Sequence, residues 1–111
     1  MDAERSDLLQ GTLEMLILKV LSIEPMHGWG ISERIQQISR DVFQVNQGSL
    51  YPALQRLKRK GLVSAQWRVS EHNRRARYYD LTTRGREQLD VEERSWARSV
   101  VAINRILQAA V

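Results

Sequence analysis

Apolar residues recur at helical spacing in four stretches of this sequence and alternate with polar ones between the third and the fourth. Leu13 to Ile23 is apolar nearly all round, through Leu13, Met15, Leu16, Ile17, Leu18, Val20 and Leu21, and Pro25 stops it. Gln10-Gly11-Thr12 reads as its start, with Thr12 as N-cap. A helix without a polar face is covered on several sides. Leu13, Leu16 and Ile17 are therefore expected to meet a partner subunit as well as the chain's own core. Met26-His27-Gly28-Trp29-Gly30 opens a second helix, about 29–39, with Ile31, Ile35 and Ile38 as its apolar stripe. Asn46 or Ser49 caps a third helix, which buries Leu50, Leu54 and Leu57, runs to Lys60 and ends at Gly61. Pro52 fits the first turn if Ser49 is the cap and lies deeper if Asn46 is. Leu62 to Val69 alternates as a strand, 70–75 is a polar hairpin loop, and Ala76 to Leu81 returns. Thr82 or Thr83 caps a last helix from about 84 to 109. Trp29 and Trp67 are expected in the core.

The order helix, helix, helix, hairpin, helix predicts a mainly α fold with a β-hairpin wing (an α+β chain): a winged helix-turn-helix domain over 1–82 and a C-terminal dimerisation helix over 83–111, packed as one unit. A chain of 111 residues suits one such domain.

Charge sharpens this picture. The net charge is only +4, but residues 56–77 hold eight Lys/Arg against Glu71 alone. Residues 1–55 sum to −3 and 78–111 to zero. A localised basic patch attracts polyanions, of which DNA is the commonest inside a cell. The patch has two parts: Arg56, Lys58, Arg59 and Lys60 at the back of the third helix, and Arg74, Arg75 and Arg77 at the hairpin. A winged helix-turn-helix fold brings both to one face, with Gln55 on the same helix. A helix in the major groove reads base edges while the hairpin lies along the backbone or over the minor groove.

Cysteine is absent and only His27 and His72 are present, so disulfides, thiolate metal sites and His-rich metal sites are not expected, nor is any cofactor. No apolar run reaches the ~18 residues of a membrane span. The acidic start, Met1 to Asp7, is unlike a secretory signal, and the chain is expected in the cytoplasm. Phosphate loops, nucleophile elbows and paired carboxylates are missing, and an enzyme is not expected. His72 falls in the polar loop as a solvated residue.

Several segments, in order across residues 8–107, resemble the PadR family of bacterial transcriptional regulators. They are Leu8-Leu9-Gln10-Gly11-Thr12-Leu13, His27-Gly28-Trp29-Gly30-Ile31, Gly48-Ser49-Leu50-Tyr51-Pro52-Ala53-Leu54-Gln55-Arg56-Leu57, Lys60-Gly61-Leu62-Val63 and Arg77-Tyr78-Tyr79-Asp80-Leu81-Thr82. The chain is similar to the short subfamily with a single C-terminal helix, and departs from it at Trp29-Gly30, where Tyr-Glu is commoner. The resemblance implies a homodimeric repressor of an inverted repeat in double-stranded DNA, often relieved by a small aromatic ligand. It implies base contacts from Gln47, Gly48 and Ser49, and phosphate contacts from Tyr51, Asn73, Arg74, Arg75 and Arg77. Physically, a Gln amide pairs with adenine, while Tyr hydroxyls and Arg suit phosphates. Ser49 could equally serve only as a cap, and Tyr51 as core.

Leu89, Trp96, Val100, Ile103 and Leu107 follow a near-heptad spacing along the last helix, and Ala97, Val101 and Ile106 add a second apolar face. That width predicts packing against a second copy through Trp96, Val100, Ile103 and Leu107. Trp96 is also the residue where a flat effector would stack, although simple interface packing accounts for it more economically. Two other functions compete with a repressor: a ligand sensor in which DNA is secondary, and a protein-binding winged helix. The basic hairpin tip favours DNA over the last.

Overall fold

The structure is a computed structural model that describes residues 2–110, with side chains from Thr12 onward. Its elements are α1 (Asp2–Leu21), β1 (Met26–His27), α2 (Gly28–Ile38), α3 (Gln47–Arg59), β2 (Val63–Val69), β3 (Arg75–Leu81) and α4 (Thr83–Leu107). The three strands form one antiparallel sheet in the order β1-β3-β2. The predicted fold class is the one observed, and the predicted elements follow in the expected order, with β1 added between the first two helices.

α1 begins at Asp2, well before the predicted start, so Thr12 lies inside the helix instead of capping it. It ends at Leu21 as Ser22 and Ile23 turn the chain toward Pro25. β1 has only two residues, Met26 opposite Tyr79 and His27 opposite Tyr78. So short a strand leaves no alternation to read, and it exists because β3 offers it an edge.

His27 caps α2 in place of a Ser, Thr, Asp or Asn: its Nδ1 accepts the Gly30 N–H at 3.0 Å. Ile31 and Ile35 are buried, but Ile38 is exposed, because the helix ends there and the chain reverses through left-handed Arg40 and Asp41. Asn46 is the cap of α3, its Oδ1 accepting the Ser49 N–H at 2.9 Å. Pro52 therefore lies inside the helix, on its exposed side. Gly61, at φ +75°, ends α3 with Gly61 N–H on the Lys58 carbonyl and Leu62 N–H on that of Leu57, both at 3.0 Å. Thr82 caps α4 through the Gly85 N–H at 3.0 Å and joins it to the α3–β2 turn, its hydroxyl lying 2.8 Å from the Gly61 carbonyl oxygen. No side chain fits at Gly85, where a Cβ would run into the Leu62 carbonyl.

The core is built from Leu13, Ile17, Leu18 and Leu21 of α1, Ile31 and Ile35 of α2, Leu50, Ala53, Leu54 and Leu57 of α3, and Val63 and Tyr79 of the sheet. Leu13 and Ile17 are thus not partner-facing: at 1% and 0% exposure they have no surface to offer. α1 is apolar all round because α2, α3, α4 and β3 all pack on it. Leu16 is half-buried against the same core. α4 is different. Of its 25 residues only Gly85 and Leu89 are buried. At about 1.5 Å per residue it is some 37 Å long, and it draws the molecule out to 59 × 31 × 21 Å.

Candidate nucleic-acid interface

α3 buries Leu50, Ala53, Leu54 and Leu57. At 100° per residue, Gly48, Pro52, Gln55 and Arg59 fall on the opposite face, flanked by Tyr51 and Lys58. All of these, and Gln47, are exposed. Ser49 is half-buried beside the Asn46 cap.

Arg56 takes another direction. Its Nε donates to Glu14 Oε2 at 2.7 Å, and Lys60 Nζ reaches Glu14 Oε1 at 3.2 Å. Burial pushes the Glu14 carboxyl up, but these hydrogen bonds and the two positive charges outweigh it and hold the group below its ordinary value. Arg56 and Lys60 stand one turn apart on the flank of α3 that faces α1, so Arg56, predicted among the DNA-contacting residues, is paired here with Glu14. Glu14 was missed because a single acid in an apolar helix carries no pattern.

The hairpin loop closes through Ser70 N–H on the Arg74 carbonyl at 2.7 Å and Asn73 N–H on the Ser70 carbonyl at 2.9 Å, with Asn73 at φ 60°. The register sets Trp67 opposite Arg77 and Val69 opposite Arg75. These share the sheet face whose base, Val63 and Tyr79, is buried. Farther out the hairpin leaves the body of the domain, and Trp67 is 56% exposed and Val69 64%. Trp29, in the first turn of α2, is 63% exposed. Neither tryptophan is core. The strand's alternation runs on past the elements that would cover it, and the first turn of α2 lies at the domain edge. The pairing of Trp67 with Arg77 was the available signal.

The Trp67 ring carries two guanidinium groups, with Arg75 Cζ 5.1 Å and Arg77 Cζ 5.9 Å from its centroid. A groove of about 750 Å³ opens between this hairpin and the starts of α2 and α3, lined by Trp29, Tyr51, Trp67, Arg74, Arg75 and Arg77 among others. Tyr51, 43% exposed, lies across Gly28, where a Cβ would come within 2.6 Å of its hydroxyl oxygen. The glycine lets the ring seat there and aims the phenol along the groove.

The opposite hairpin face is tied to α2. The Tyr78 hydroxyl donates to Glu71 Oε2 at 3.4 Å, and His27 Nε2 lies 3.5 Å from Glu71 Oε1. The Glu71 carboxyl is held below its ordinary value, chiefly by a hydrogen bond to its own backbone. His72 is 81% exposed, as predicted for a solvated loop residue. Among the described residues no group of His, Cys, Asp or Glu could hold a metal ion, and no helix is long and apolar enough to cross a membrane.

A profile of the Transcriptional regulator PadR-like family matches residues 17–91. The chain belongs to this family. Its fold is similar to that of a PadR-like transcriptional regulator from Bacillus cereus, at 30% identity and TM-score 0.80, covering 94% of this chain and 99% of that one. It is also similar to a PadR-like transcription factor from Bacteroides fragilis, at 32% identity and TM-score 0.73, over 94% and 98% of the two chains. A protein of transposon TN4556 in Streptomyces fradiae is 40% identical over 98 residues, 88% of this chain but only 26% of that longer protein. The PadR-like family and these structural neighbours are transcriptional regulators, not enzymes.

Proposed function

We propose that this PadR-like regulator is a sequence-specific repressor that binds an inverted repeat in double-stranded DNA as a cytoplasmic homodimer. One observation carries it: Tyr51, on the flank of α3, and the hairpin arginines border a single groove, although they lie far apart in sequence. Gln47, Gly48, Ser49 and Gln55 are the base-reading end in this proposal. Tyr51, Lys58, Arg59, Asn73, Arg74, Arg75 and Arg77 hold phosphates, which set register without reading sequence.

Residues 1–82 then form the DNA-binding unit and 83–111 the dimerisation helix. Supporting the second copy, α4 leaves Trp96, Val101, Ile103, Ile106 and Leu107 exposed, at 43 to 75%, and Val100 half-buried. So much apolar surface along one helix is what a partner covers. The single-chain core already takes Leu13 and Ile17 and packs against Leu16, so the proposed seam rests on α4. Ile103→Asp should sediment as a monomer and lose most of its affinity for a full inverted repeat. A dimer that survives this change would remove α4 from the interface.

A small aromatic effector is the finer part of the proposal, supported by the exposure of Trp96 on the proposed seam. Quenching by planar aromatics that is equal in wild type and Trp96→Ala would dismiss it.

A further inference from the structure

We propose that Trp67 is a positioning residue for DNA affinity: its ring fixes Arg75 and Arg77 in a phosphate-ready arrangement without neutralising them. This rests on the proposal that the wing contacts DNA.

Arg75 and Arg77 stand two residues apart on β3, so both project from one face, about 7 Å apart along the strand. Two like charges this close would ordinarily spread or recruit a carboxylate. The only acid in 56–77, Glu71, bonds to Tyr78 and lies beside His27, on the other face of the hairpin. Among the described residues neither arginine has an ion pair, and Arg77 Nε is buried with no hydrogen-bond partner. The indole is what holds them, with both guanidinium carbons within 6 Å of its centroid. Contrast Arg56, which a carboxylate also fixes, but with its charge already answered. A π face orders an arginine and leaves its charge unanswered, for another anion to meet.

Trp67 itself contributes little to the core, being 56% exposed, so its replacement should leave the fold intact. Freeing two arginines in the unbound protein means that binding must order them again, a cost of about tenfold in affinity. The test is a titration of labelled duplex DNA, selected from random sequence by the wild-type protein, at fixed salt. Trp67→Phe keeps an aromatic face and should bind within about threefold of wild type. Trp67→Leu keeps an apolar side chain without the π face and should bind about tenfold more weakly, on selected and random duplexes alike. Its melting temperature should match wild type. In an Arg75→Ala, Arg77→Ala background, Trp67→Leu should have no further effect. Wild-type binding by Trp67→Leu, or a further loss in the double-arginine background, would overturn the positioning role and leave the DNA proposal standing. Failure of the wild-type protein to select any duplex would instead overturn the DNA proposal, and this one with it.

Discussion

Glu14 holds Arg56 at 2.7 Å and Lys60 at 3.2 Å across the α1–α3 contact, and so removes two of the eight cations of the basic stretch from the outward face. Its carboxyl titrates below the ordinary 4.5, so the folded state binds fewer protons there than the unfolded chain. The clamp's stabilisation is therefore present above that value and lost as pH falls through the lowered folded one. Glu14→Gln should melt a few degrees below wild type at neutral pH, on the order of 1 kcal/mol for a partly exposed pair. The difference should close as both are taken well below pH 4.5. A constant difference at every pH would mean that packing, not charge, is what Glu14 contributes. At this scale the sequence was least legible. Trp29 and Trp67 look like core to any rule that counts apolar residues, and only the register opposite Arg77 and the edge position of α2 show them to be surface. Arg56 and Lys58 are indistinguishable as charges, and a partner on another helix separates them.

Among the elements, those with strong local signals were read from the sequence nearly to the residue. Leu50, Leu54 and Leu57 mark the buried stripe of α3, Gly61 its end and Thr82, one of two candidate caps, the start of α4, because each rests on short-range chemistry. α1 was misplaced because Gly11-Thr12 resembles a start although the helix runs through it. β1 and the His27 cap were not legible, since both depend on where β3 and α2 meet. The hairpin was legible, and its arginines carry the element's prediction. Arg74→Ala and Arg75→Ala should each weaken binding to all duplexes similarly and lower the slope of log K against log salt by about one. Selective loss on one sequence would make these residues base readers instead.

For the whole molecule, the fold class and the basic face followed from element order and charge distribution, while the projection of α4 did not. Heptad-like spacing cannot tell a helix packed on its own domain from one reaching beyond it. A radius of gyration of 15.5 Å, against about 13 Å for a compact chain of this size, reflects that reach. Two copies joined along α4 would present two α3 helices, which fits half-sites about one helical turn apart. Footprinting the protein on DNA upstream of its own gene and neighbours, at physiological salt with excess random competitor, tests this most directly. The account predicts a protected inverted repeat of that spacing. Salt-sensitive binding with no protected site, there or on genomic fragments selected without bias, would contradict it.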